Sequence, residues 1–418
     1  MNHRTLPACM TVLTWVLLLT VGLTACAAPK PTATALPPPT AAPTLTPAPT
    51  AAPPQPTATL PQPTATMPPT TTAEPTVVPT TPQPVPLPLS EPGPYYPGKR
   101  TFTREDASRD GRQVSITLWF PALLPAGKTG GRLPKLFAGT DRAPDLSGAP
   151  YPLILSSTDM ARVLAPYLVS HGFTWASVDG IHSYLHMGEQ MYSQPLDILF
   201  ALDEVASNPP EELQGMIDAE HAGAIGYSFD GYNALVLSGA RIDPAYYLAQ
   251  CPKPDPTTEA ILGAMSAYSC GPAGEWEEFA ARAGEAITRS EDGLWQPITD
   301  PRIRAVMPMA GEGWWLFGER GLAAVDRPIL MIVATHDELY RENVLIFDHL
   351  GTPDKALISF VGPDHMMVFT PEWQDRMGHF AVAFFGYHLQ GKPEYRHYFS
   401  QDFVSRIPFL KWGVYAGM

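Results

Sequence analysis

Two glycine-rich signatures are missing from the 418 residues. Neither a Gly-x-Gly-x-x-Gly dinucleotide fingerprint nor a phosphate-cradling loop occurs, so no nucleotide-type cofactor is expected. No internal repeat runs along the chain. Basic charge is also in short supply: 27 Lys and Arg face 41 Asp and Glu, for a net charge of −14. An acidic protein of this kind is a poor partner for nucleic acid or for an anionic membrane surface. Cysteine is scarce, with only Cys9, Cys26, Cys251 and Cys270. His182 and His186 have the i, i+4 spacing of metal ligands, but no third ligand is evident, so no metal is expected.

Long apolar runs are few as well. The one near the start, residues 11–23, is too short for a comfortable membrane span and follows a weakly basic start at His3 and Arg4. It reads as an export signal over residues 1–25. Its end, "LTAC", resembles the lipobox of bacterial lipoproteins. That resemblance implies cleavage before Cys26 and lipidation of its thiol, leaving the protein held on the cell envelope by its lipid alone and facing away from the cytoplasm. Several acyl chains, at about 0.8 kcal/mol per buried methylene, make such an anchor effectively permanent.

Charge nearly vanishes in residues 26–94, which are mostly Pro, Thr and Ala, with Lys30 and Glu74 the only ionic groups between Cys26 and Glu91. Too little apolar surface is available there to offset the entropy of ordering, so the segment is expected to be a disordered tether. In extended polyproline form, at roughly 3.1 Å per residue, it spans up to about 200 Å.

Residues 95–418 differ in composition and are long enough to bury one large core. "RQVSITLWFPA" (112–122) alternates like a half-buried strand. "YPLILSS" (151–157), "FTWASVD" (173–179), "AGAIGYS" (222–228), "IRAVMPMA" (303–310), "RPILMIVAT" (327–335) and "KALISFVG" (355–362) read as buried strands. Helical spacing fits the stretch 161–172, residues 194–207, residues 230–239 and "DRMGHFAVAFFGYHL" (375–389). Buried strands alternating with helices imply an α/β fold, a mostly parallel central sheet with helices on both faces. Residues 241–300 interrupt the alternation and are expected to form a cap-like insertion. They hold Cys251 and Cys270, expected to pair in an exported domain, the alternative being two free buried thiols.

"AIGYSFDGYNAL" (224–235) contains most of a nucleophile elbow, with Asp230 where the second small residue of Gly-x-Ser-x-Gly belongs. A sharp strand-to-helix turn there exposes the Ser228 hydroxyl and aims the Phe229 N–H at an oxyanion. Serine alone is a weak nucleophile and needs a base and an orienting acid, in the order Ser, Asp, His. Asp337 and His365 each follow an apolar strand in that order. The alternatives are an ordinary helix-capping role for Ser228, His336 or His379 in place of His365, and Glu338 or Glu312 in place of Asp337.

With "DASRDGRQVSITLWFPA", "YPLILSS", "LVSHGFTWASVD", "PLDILFALDEV", "IGYSFDGYNALVLSGAR", "DPRIRAVMPMA" and "ALISFVGPDH", residues 100–390 resemble the α/β-hydrolases. The likeness is to the dienelactone hydrolases and platelet-activating-factor-acetylhydrolase-like esterases. This resemblance implies Ser228 as nucleophile, His365 as general base and then acid, and Asp337 as its orienting group. The substrate it implies is a small-molecule, lipid or polymer ester. Where the family has a His-Gly turn supplying the second oxyanion N–H, this chain has "STDM" (157–160), leaving Thr158 or Asp159 to donate it. Asp230 is expected to point outward along its helix. Trp314, Trp315 and Met366 lie near the site in sequence, as an apolar substrate pocket or as core. The alternative function is a non-catalytic binding lipoprotein on the same fold.

Overall fold

Every residue of Tyr151–Ser157 is buried, as a strand covered on both faces requires. This strand, β3, sits inside a nine-stranded sheet ordered β1-β2-β4-β3-β5-β6-β7-β8-β9. The computed structural model describes residues 85–180, 187–251 and 266–417. The export signal, Cys26, nearly all of the tether, and His182 with His186 lie outside the described residues.

The strands are β1 (Tyr96–Asp106), β2 (Arg112–Ala122), β3, β4 (Thr174–Val178), β5 (Ile217–Tyr227), β6 (Ile303–Met309), β7 (Ile329–Ala334), β8 (Lys355–Phe360) and β9 (Leu410–Trp412). The six from β4 to β8 in the sheet pair in parallel, while β2 and β9 run antiparallel to their neighbours. Two large apolar clusters pack on the two faces. The fold is therefore α/β with a mostly parallel sheet, as expected from the alternating pattern.

The principal helices are α1 (Thr158–Ser170), α2 (Gln190–Ser207), α3 (Phe229–Leu237), α4 (Pro244–Gln250), α5 (Trp276–Ala283), α6 (Trp314–Leu322), α7 (Tyr340–His349) and α8 (Pro371–Leu389). Strand β1 had no clear signal in the sequence. Its burial alternates irregularly and it carries Lys99, Arg100 and Arg104, because one edge strand of a hairpin needs only a single covered face. The hairpin turns through Asp110 and Gly111, both at positive φ (53° and 71°).

Ordered packing begins before residue 95. Leu89 is buried and its N–H donates to His379 Nδ1 at 3.2 Å, and Gly93 N–H donates to Ser170 Oγ at 3.0 Å. The last ten residues ascribed to the tether are thus part of the domain surface, since Leu89 supplies the apolar anchor that the Pro/Thr/Ala stretch lacks.

Between β5 and β6 the insertion contributes α4, α5 and short helical turns. An aromatic cluster welds it to the body: Trp276, Phe279 and Trp295 pack on one another, on Tyr192 of α2 and on Tyr247 of α4. Cys251 and Cys270 are disulfide-bonded, with Cα atoms 5.7 Å apart.

Candidate active site

Ser228 occupies a backbone conformation that side chains other than glycine rarely adopt, with φ 58° and ψ −124°. It joins β5 directly to α3, and its N–H donates to Met309 O of β6 at 3.0 Å. Crowding at the turn explains the small residues around it. A Cβ on Gly226 would lie 1.9 Å from the Asp230 carbonyl oxygen, and one on Gly231 would lie 2.8 Å from Gly311 Cα. Close approach of the helix is therefore secured at Gly231, one position beyond where the Gly-x-Ser-x-Gly pattern has its second glycine.

Three side chains from three strand ends meet here. The Ser228 hydroxyl lies 3.0 Å from His365 Nε2, and His365 Nδ1 lies 2.8 Å from Asp337 Oδ2. Asp337 follows β7, and its other oxygen accepts the Leu339 N–H at 2.9 Å. His365 opens a short 3-10 turn after β8 whose Asp364 carboxylate caps Met366 N–H. Tyr227, next to the serine, donates its hydroxyl to His365 O at 2.7 Å and stacks obliquely on the imidazole. With its Nδ1 proton directed at Asp337, His365 presents a lone pair to the serine hydroxyl and can accept its proton. Burial alone would depress the imidazole's proton affinity. The hydrogen bond and charge of Asp337, with Glu338 and Glu312 nearby, outweigh it and leave His365 above its ordinary value.

The rival residues lie elsewhere. His336 is exposed, and His379 is fully buried in α8, where desolvation drives it down to about 3 and keeps it neutral as the acceptor for Leu89. Glu338 is exposed, whereas Glu312 is buried behind the site.

No family model matches the chain, and no curated protein matches it, so the side chains alone speak for what the site does.

Asp230 does not point outward. It is 7% exposed and turns inward, its two oxygens 3.1 and 3.0 Å from Ser157 N and its Oδ2 3.0 Å from Ser157 Oγ. Asn233 Nδ2 donates to Asp230 Oδ1 at 3.2 Å and to Gln194 Oε1 at 2.6 Å. The expected outward direction fails because β3 ends within reach, and its orphan N–H is a better partner than water. Burial pushes the carboxyl up to about 6, against the lowering effect of these hydrogen bonds.

The Ser157 N–H is thus committed. Phe229 and Thr158 are the first residues of α3 and α1, so neither N–H has an acceptor within its own helix. Phe229 lines the cavity over Ser228. Thr158 does not; its hydroxyl donates to Val178 O at 2.8 Å, although Ser157 and Asp159 on either side do line it. The Asp159 carboxylate is exposed and lies 3.5 Å from Arg162.

The cavity beside Ser228 measures about 650 Å³, within the usual size for small-molecule sites. Its apolar lining comes from Met160 and Val163 of α1, from Tyr227 and Phe229, and from Met366, Val368 and Phe369 after the histidine. Met366 is where the sequence led us to look, at the rim and 58% exposed. Trp314 and Trp315 are not part of this cavity: they are 5% and 1% exposed. Trp315 packs against Tyr247 of the insertion, and Trp314 against Tyr246 and His349. Adjacent helical residues point in different directions, and here the insertion covers both, with α7 completing the cover over Trp314. Sequence reasoning missed the contribution of α1 and the brace from Tyr227. A signal for the latter was present in the large aromatic next to Ser228.

Proposed function

We propose that the protein is a serine esterase of α/β-hydrolase fold, related to the dienelactone hydrolases and platelet-activating-factor-acetylhydrolase-like esterases. The observation that carries this reading is the unbroken chain from Ser228 Oγ through His365 to Asp337 at a strained strand-to-helix turn. Ser228 lies more than a hundred positions from both partners in sequence, and its meeting with them at donor, relay and acceptor distances supports nucleophilic catalysis.

In the proposed reaction, Ser228 Oγ attacks the ester carbonyl carbon while its proton passes to His365 Nε2. The negative oxygen is held by the Phe229 N–H and an N–H from the start of α1. His365 then gives the proton to the departing alkoxide as the carbon–oxygen bond breaks, leaving an acyl-serine. Water repeats the sequence, losing a proton to Nε2 and releasing the acid as the proton returns to Ser228. Asp337 stays ionised and stabilises the imidazolium. The apolar cavity favours esters with a hydrophobic acyl or alcohol part, and the export signal and Cys26 favour a substrate met outside the cytoplasm.

A non-catalytic binding role is favoured by one observation, the loss of the Ser157 N–H to Asp230. Labelling with a fluorophosphonate separates the two. An adduct at Ser228 that disappears in Ser228→Ala, and that forms roughly 10⁴-fold more slowly in Asp337→Asn, supports the esterase. A folded protein that takes no label is a binder.

A further inference from the structure

The sheet order brings an extra carboxylate to the edge at which the histidine meets the serine. Ser228 leaves β5, Asp337 leaves β7 and His365 leaves β8, with β6 lying between β5 and β7. To touch both Ser228 and Asp337, the imidazole must pass over the end of β6. The residue offered there is Glu312, 4% exposed.

The turn that carries Glu312 is built to hold it. Ala310, at φ 42°, and Gly311 pack the turn against Gly231 of the elbow helix. From the other side, Asn343 Nδ2 of α7 donates to Gly311 O at 2.8 Å. Glu342 Oε1 accepts the N–H groups of Gly313 and Trp314 at 2.7 and 2.9 Å. Tyr268, from the disulfide-closed insertion, donates its hydroxyl to Glu312 Oε1 at 3.2 Å. Among the described residues no lysine or arginine pairs with Glu312. Tyr268 of the insertion is hydrogen-bonded to it, and the titratable groups close enough to act on its charge are Glu342 of α7, Tyr232 of α3 and His365. Asp337 and Glu338 complete the acidic surroundings of the imidazole. Of all these, only His365 gains a positive charge when Ser228 gives up its proton.

We propose that Glu312 is a positioning residue for His365, a second buried counter-charge that stabilises the imidazolium alongside Asp337. The proposal rests on reading Ser228, His365 and Asp337 as a catalytic triad. Tyr268 acts one step further back, since its hydrogen bond favours the ionised form of Glu312. As the imidazole gains a proton, the Glu312 carboxylate becomes easier to keep ionised. Burial raises the Glu312 carboxyl to about 7, opposed by Tyr268 and by His365.

The test is a titration of His365 in full-length protein by NMR of labelled histidine, with the resonance assigned through His365→Asn. Glu312→Gln should lower the midpoint by roughly half a pH unit or more. Glu312→Asp should restore part of it. Tyr268→Phe should move it in the same direction as Glu312→Gln, by less, and decides the matter if Glu312→Gln does not fold. An unmoved midpoint in these variants overturns the proposal. Fluorophosphonate labelling of Ser228, run alongside, keeps the two ideas apart. Absent labelling with a shifted midpoint sinks the esterase but not the electrostatic role, and labelling with an unmoved midpoint does the reverse.

Discussion

Both carboxylate oxygens of Asp230 lie within hydrogen-bond distance of the Ser157 N–H, at 3.1 and 3.0 Å, across 73 positions of sequence. One side chain thereby ties the helix behind the nucleophile to the strand end that leads into α1. The place where the Gly-x-Ser-x-Gly pattern has its second glycine is here a brace.

Removing that brace is expected to harm the site. Asp230→Gly should cost roughly 1–3 kcal/mol of stability by leaving the Ser157 N–H and hydroxyl without their buried partner. It should also slow fluorophosphonate labelling of Ser228 roughly 10- to 100-fold by loosening the start of α1. Asp230→Asn keeps an acceptor and should lose less. Equal melting temperature and labelling rate in all three proteins would mean that Asp230 is a spectator.

Three buried acids lead to a pH dependence of stability. Desolvation raises Asp230 to about 6, Glu312 to about 7 and Glu342 to about 8, from ordinary values of 3.8, 4.5 and 4.5. Between the two values for each group, the folded state holds the proton more tightly than the unfolded chain. Stability should therefore fall as pH rises from about 4 to about 8. Glu342→Gln retains an acceptor for Gly313 and Trp314, so it should match the parent near pH 4. At pH 9 it should exceed the parent on the order of a few kcal/mol. Chemical denaturation at the two pH values checks this, and parallel pH curves for parent and variant would refute it.

The disulfide closes a loop with a sequence separation of 19. Its loss in a Cys251→Ala, Cys270→Ala double variant should lower stability by roughly 3 kcal/mol. Thermal unfolding of the parent with and without reductant should show the same drop. If reductant leaves the melting temperature alone, the bridge contributes nothing to the fold.

At the cavity rim, Met366 and Phe369 are 58% and 67% exposed. An apolar rim of this kind should favour longer acyl chains on nitrophenyl esters, from acetate towards octanoate. Met366→Glu should flatten that gain while leaving the acetate rate within about threefold, because a charge at the rim taxes only the chains that reach it. Identical chain-length profiles would place the acyl group elsewhere.

Much of this architecture was legible in one dimension. Buried strands 151–157 and 303–310 stand out because a strand covered on both faces is apolar throughout, and α8 because its apolar residues recur at helical spacing. Ser228, Asp337 and His365 were legible because each follows an apolar strand and so must emerge at one edge of a parallel sheet. The half-covered β1 and the paired tryptophans of α6 were not. For the strand, burial depends on a hairpin partner, and for Trp314 and Trp315 on an insertion and a helix that come from elsewhere in the chain.

Local chemistry and periodicity thus settled the α/β class, the order of the three polar residues and the strained turn at Ser228, since each is a property of consecutive residues. The direction of Asp230, the burial of Glu312 and the cavity wall from α1 were decided in three dimensions. Each depends on a hydrogen-bond partner or a packing surface supplied by a distant segment, and a carboxylate points to whichever donor the fold brings within about 3 Å.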